Sequence, residues 1–82
     1  MNRKEILKYL QDNKIIGDYW CIKSFMIMED DKKIMFSYNH GDMGIVDKII
    51  YYKNTNIVEI YDLDNYYGNT YLRYRNVVKE RG

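Results

Sequence analysis

Proline and alanine are missing from this 82-residue chain, and cysteine and histidine occur once each. The single Cys21 excludes an internal disulfide framework and a cysteine-based zinc site. The single His40 likewise excludes a histidine-rich metal site. No apolar run approaches the roughly 18 residues of a membrane span, and the first residues lack the apolar core of a signal peptide. We therefore expect a cytoplasmic protein that has no membrane association, cofactor or metal.

Catalytic and calcium-binding motifs are also missing from the sequence. His40 and Asp42 are close enough to form a base and its orienting carboxylate, but no serine or cysteine lies in a recognisable nucleophile motif. Asp62 and Asp64 match the first and third positions of a calcium loop, yet Arg73 replaces the glutamate that closes such loops. The sequence predicts a protein that is not an enzyme.

The composition that is present is typical of one globular domain. Apolar residues make up 46% of the chain and charged residues 30%, which argues against disorder, and 82 residues leave no room for a second core. Net charge is +1 but is uneven, since residues 29–64 are acidic whereas residues 1–28 and 65–82 are basic. A dedicated DNA-binding domain would be more uniformly basic. The distribution fits a charged protein partner.

The first segment predicts a helix over about residues 3–13. Asn2 is a suitable N-cap, and Glu5 completes a capping box with it. Ile6, Leu7 and Leu10 then share one face, which we expect to pack on the rest of the domain. Gly17 ends the pattern.

β-forming residues dominate after residue 18. The predicted strands are 19–29, 34–38, 47–52, 57–62 and 70–78, with polar turns between them. Residues 42–46 also fit a short helical turn. In the last strand, alternation predicts Leu72 and Tyr74 on one face and Arg73 and Arg75 on the other. The segments 19–38 and 49–62 each have the form of a hairpin.

These elements predict an α+β fold in which one N-terminal helix packs on an antiparallel sheet of four or five strands, spanning residues 1–82. A small SH3-like or OB-like barrel is the alternative, if the strands curl enough to close. Met26, Met28 and Met35 are interpreted as core residues of the first hairpin.

Ten tyrosines are too many for one helix to cover in so small a domain. Tyrosine and arginine are over-represented at the energetic centres of protein interfaces, and both are concentrated in residues 66–75. We therefore predict a surface that docks a protein partner, assisted electrostatically by nearby acids. Its residues are Tyr66, Tyr67, Tyr71, Arg73 and Arg75, with Asp62, Asp64, Asp30 and Asp31. A homodimer would also give the surplus tyrosines a buried face.

The alternative hypothesis is a nucleic-acid-binding module. Tyr71 and Tyr74 would stack on bases of a single strand, while Arg73 and Arg75 contact its phosphates. The electrostatic support for this hypothesis is thin, because the acidic middle of the chain opposes it.

In size, composition and expected architecture the chain resembles small phage-encoded inhibitors, among them the anti-CRISPR proteins. The resemblance rests on a proline-free, cysteine-poor chain rich in lysine, asparagine, isoleucine and tyrosine, and no residue motif accompanies it. It implies a non-catalytic protein that blocks a host nuclease or another nucleic-acid-handling enzyme. An acidic segment could then occupy a basic nucleic-acid channel on that host protein.

Overall fold

A computed structural model of the chain describes residues 1–18, 23, 25–38, 46–63 and 70–79. Within these residues one helix precedes five strands. The elements are α1 (Arg3–Asp12), β1 (Phe25–Glu29), β2 (Lys33–Tyr38), β3 (Val46–Tyr52), β4 (Ile57–Leu63) and β5 (Thr70–Val77). The strands form one antiparallel sheet in the order β1-β2-β3-β4-β5. The predicted α+β class is confirmed; the sheet is open, and the barrel alternative is not confirmed.

Helix α1 begins and ends at residues that satisfy its terminal backbone groups. The side chain of Asn2 accepts from the Glu5 amide at 2.9 Å, and the Glu5 carboxylate accepts from the Asn2 amide at 2.9 Å, so the predicted capping box is confirmed. At the other end, Lys14 has a positive φ of 61°. Its amide donates to Gln11 O and the Ile15 amide to Leu10 O, which is a Schellman ending with lysine where glycine is usual.

The core lies between α1 and one face of the sheet. Ile6, Leu7 and Leu10 are buried as predicted. They pack in one cluster with strand residues Phe25, Ile34, Phe36, Ile49, Tyr51, Val58 and Ile60, together with Ile16 and Val78. The alternation of the strands explains this selection, because every second side chain points toward the helix.

Tyr51 is a core residue that carries a polar group, and a hydrogen bond satisfies that group. Its ring is fully buried, and its hydroxyl donates to Asn56 Oδ1 in the β3–β4 turn. Asn56 has a φ of 55°, a conformation that asparagine tolerates better than most residues. The Asn56 carbonyl also accepts from the Val78 amide at 2.7 Å, so this turn anchors the end of β5 as well.

The predicted first strand, residues 19–29, is described only at Lys23 and Phe25–Glu29. Among its described residues, strand geometry begins at Phe25, and Lys23 lies in a 3-10 turn. β-propensity alone does not locate such a boundary, because the aromatic and β-branched residues continue through it. Residues 42–45, where a helical turn was the alternative, lie outside the described residues, and Val46 already belongs to β3.

Replacing Leu10 with alanine is expected to destabilise the domain by about 2–5 kcal/mol, because the side chain is fully buried and a cavity would remain. Urea denaturation gives the free energy of unfolding. Lys4→Ala is the matched control, since Lys4 lies on the exposed side of α1. Coincident midpoints for Leu10→Ala and wild type would show that α1 is not docked.

Candidate functional site

The sheet has a second face, which α1 does not cover. Paired residues on neighbouring strands point to the same face of a sheet. The residue pairs from β1 to β5 therefore identify the side chains that point away from α1. We call this surface the open face. Its described members are Met26, Met28, Lys33, Met35, Ser37, Lys48, Ile50, Tyr52, Ile57, Glu59, Tyr61, Leu72, Arg75 and Val77.

Large apolar side chains of the open face are accessible to solvent. Met26 and Met28 are 58% and 64% exposed on β1, and Leu72 and Val77 are 47% and 48% exposed on β5. The interpretation of Met26 and Met28 as core residues is therefore wrong. The single helix packs on the opposite face, and Phe25 of the same strand takes the core position.

A hydrogen-bonded network occupies the β3–β5 half of the open face. The Glu59 carboxylate accepts from the Tyr61 hydroxyl at 3.4 Å and lies 3.3 Å from Arg75 Nε. A hydrogen bond to the same carboxylate raises the pKa of Tyr52, because ionising the phenol would remove the donor and place two anions together. Lys48 Nζ lies 4.9 Å from the centre of the Tyr61 ring, within the range of a cation–π contact.

Within this network Glu59 is shielded from solvent, whereas Arg75 is accessible. The Glu59 side chain is only 13% exposed, whereas that of Arg75 is 57% exposed. The carboxylate is thus occupied by neighbours, while the guanidinium presents most of its surface to solvent. Glu59 orients Arg75 and the tyrosines rather than offering a free anionic site.

The structure separates the two arginines that alternation placed on one face. The ladder between β4 and β5 shifts register at Ile60/Tyr61, so Arg73 is an extra residue in β5. This bulge turns Arg73 toward the helix side, where its Nε lies 2.7 Å from Asp62 Oδ2 and its Nη1 donates to Ile15 O at 3.2 Å. The predicted shared face for Arg73 and Arg75 is wrong, and so is the predicted grouping of Leu72 with Tyr74, because a bulge reverses alternation beyond it.

Arg73 and Asp62 join the residues that follow α1 to the edge strand β5. The Asp62 side chain is largely shielded, and its Oδ1 has no described hydrogen-bond partner. Tyr71 is opposite Asp62 in the ladder and is 52% exposed, so it lies on the helix side of β5. Tyr74 is half-buried against the core. Of the described residues predicted to dock a partner, only Arg75 belongs to the open face.

The predicted acidic contributors are not brought together. Asp30 and Asp31 lie in the turn between β1 and β2, whereas Asp62 is near the end of β4 at the opposite end of the sheet. The length of β4 alone contributes roughly 17 Å to this separation. Asp30 Oδ1 accepts from the amides of Lys32 and Lys33 at 2.8 and 2.9 Å, so it organises its own turn.

Glu29 is also held within the domain. Its carboxylate accepts from Arg3 Nε at 2.9 Å and from Lys53 Nζ at 3.0 Å. The hydrogen bond from Lys53 and then that from Arg3 lower the pKa of Glu29, because both favour the ionised carboxylate. These contacts connect the start of α1 to β1 and to the β3–β4 turn.

Several predicted site residues fall outside the described part of the chain. They are Asp64, Tyr66 and Tyr67 of the tyrosine-rich segment; Cys21 and His40, for which the sequence predicts no catalytic role, also lie outside it. Within the described ranges, no three or more His, Cys, Asp or Glu residues are grouped so that they could hold a metal ion. No helix in those ranges has the length and apolar content needed to cross a bilayer.

Comparison of the chain with protein-family models, with curated proteins and with solved structures found no match. The open face was missed by sequence reasoning, although two signals could have indicated it. Met26, Met28 and Met35 alternate with the core residues of the first hairpin, and only one helix was predicted for a sheet of four or five strands.

Glu29→Gln is expected to weaken the acid dependence of stability. Because the folded pKa lies below the ordinary value of 4.5, Glu29 stabilises the fold above that pH, and the contribution is lost as pH falls through the folded pKa. Free energies of unfolding between about pH 2 and pH 7 test this. Asp31→Asn, which removes an exposed carboxylate from the adjacent turn, controls for the loss of one negative charge. Identical pH profiles for Glu29→Gln and wild type would contradict the assignment.

Glu59→Gln is expected to lower the pKa of Tyr52 toward its ordinary value of 10.0, because the variant removes the carboxylate that raises it. The pKa of Tyr61, which burial and Glu59 both raise, should remain above its ordinary value, since burial is its largest single cause and remains. Carbon-13 NMR of ring-labelled tyrosine resolves the two titrations. An unchanged pKa for Tyr52 would refute its hydrogen bond to Glu59.

Proposed function

We propose that this protein is a non-catalytic binding protein that docks on a host protein through the open face. The observation that carries the proposal is the exposure of Met26 and Met28 beside a well-packed core. A sheet face of this kind normally packs against a second layer. The described chain places no second helix there, so a partner would supply that layer.

The composition of the open face supports a protein partner. Interface centres are enriched in methionine, tyrosine and arginine, and this surface holds three methionines, two tyrosines and one arginine among its described members. Five strands of five to eight residues give a footprint of roughly 400–500 Å². Exposed apolar side chains occupy part of this footprint, and contiguous apolar surface on a small protein marks an interaction site.

Inhibition of a host nucleic-acid-handling enzyme, such as a defence nuclease, is the activity we propose for this docking, and the cytoplasm is its setting. The resemblance to phage-encoded inhibitors suggests the class of partner. Steric blocking through the open face is the better supported mode. An acidic decoy has less support, because Asp30 and Asp62 lie at opposite ends of the sheet and Asp62 is paired with Arg73.

Single-stranded nucleic acid is the second candidate partner, and one observation favours it. The open face combines three cations with two aromatic rings, those of Lys33, Lys48, Arg75, Tyr52 and Tyr61. Cations suit contacts with the phosphate backbone, and aromatic rings suit base stacking. The methionine rows oppose this candidate, since they offer apolar area that nucleic acid does not need. Steep loss of oligonucleotide binding with salt would support it.

A double variant, Met28→Glu with Leu72→Glu, is expected to lose partners that the wild type captures from a host extract. Both side chains are exposed, so the substitutions should leave the fold intact while placing two charges in the docking surface. Losses of about 2 kcal/mol or more are usual when an interface centre is disrupted. Quantitative mass spectrometry of the captured proteins measures the effect.

The control for this experiment is Lys4→Glu with Lys8→Glu on the exposed side of α1, with circular dichroism to verify folding of every variant. Capture that survives in the open-face variant and fails in the helix variant would place the docking surface on α1. That result would reject the proposal.

A further inference from the structure

The open face is cationic as well as apolar. Its described side chains that are charged at neutral pH are three bases, Lys33, Lys48 and Arg75, and one acid, Glu59. The face therefore carries a net charge of +2 from these groups, more than the +1 of the whole chain. The acid is also less accessible than Arg75, because Arg75 and two tyrosines contact its carboxylate.

The three cations are spread over β2, β3 and β5 instead of forming one cluster. Lys48 on β3 and Arg75 on β5 are two strands apart, roughly 10 Å across the sheet. Lys33 pairs with Tyr52 at the far end of β3 from Lys48, roughly 13 Å along the strands. Met35 and Ile50, which are opposite each other in the ladder, lie between these positions.

This arrangement distinguishes among occupants of the open face. A second copy of the chain would bring two surfaces of net positive charge together, and like charges across an interface oppose association. A nucleic acid would satisfy the cations but would leave the methionines of β1 and β2 without an apolar partner. A protein surface that combines apolar residues with carboxylates satisfies both sets of groups.

Resting on the proposed function, we infer that the partner presents an acidic amphipathic surface to the open face. Its apolar residues cover Met26, Met28 and Met35, while its carboxylates reach Lys33, Lys48 and Arg75. A helix suits this role, because α1 already packs three apolar residues, Ile6, Leu7 and Leu10, against a face of this sheet.

Three helical peptides of about 18 residues provide a defined probe. They share one leucine face and differ only in the flanking residues, which are glutamate, glutamine or lysine. Fluorescence anisotropy measures their affinity for the whole protein. We expect the glutamate peptide to bind at least about tenfold more tightly than the lysine peptide, and the difference to shrink as salt rises from about 50 to 500 mM.

Variants of the protein connect this preference to the open face. Lys48→Gln with Arg75→Gln should weaken binding of the glutamate peptide at least about fivefold, and Met28→Glu should remove it. Lys4→Gln with Lys8→Gln removes the same number of charges from the exposed side of α1 and should leave the affinity unchanged.

The outcomes separate this inference from the proposed function. Equal affinity for all three peptides, lost in Met28→Glu, would retain the docking face and overturn the acidic preference. Failure of the glutamate peptide to bind would overturn the inference, while capture from host extract judges the docking face independently. Tighter binding of oligothymidine than of the glutamate peptide would assign the face to nucleic acid. A dimer in light scattering that Met28→Glu dissociates would assign it to a second copy.

Discussion

One short helix facing a five-stranded sheet is the constraint on which the rest of the structure depends. Helix α1 has ten residues, so it is about 15 Å long and 10 Å wide, whereas the sheet is roughly 24 Å across. The helix side of the sheet takes Phe36, Ile49 and Ile60 into the core. Side chains that alternate with them must emerge on the other side, which is why a compact core and an accessible apolar face occur together.

Much of this architecture could be predicted because it depends on local chemistry. Asn2 and Glu5 are sufficient to indicate where α1 begins, and Ile6, Leu7 and Leu10 indicate which side it buries. Hairpins follow from alternation and polar turns. Predictions failed where one extra residue interrupts the alternation of a strand. Arg73 is such a residue in β5, and as a result Arg73 and Arg75 lie on opposite faces.

The candidate site was harder to predict than the fold because type and spacing of residues do not reveal which side of a sheet remains uncovered. Tyr71 and Arg73 have the composition of an interface, yet the Arg73 guanidinium is directed to Asp62 and the Ile15 carbonyl. Arg73 therefore connects the segment that follows α1 to β5. Met28 has the composition of a core, yet it is exposed. The bulge in β5 decides the role of Arg73, and the absence of a described second layer decides that of Met28.

The two halves of the open face differ in rigidity, and this difference bears on recognition. Glu59 restrains Tyr52, Tyr61 and Arg75 through shared contacts, so these side chains are oriented before a partner arrives and lose less entropy on binding. Methionines on β1 and β2 have flexible, polarisable side chains that adapt to the shape placed against them. The polar half is therefore suited to setting the orientation of a partner, while the methionine half supplies apolar contact that tolerates variation in the partner's surface.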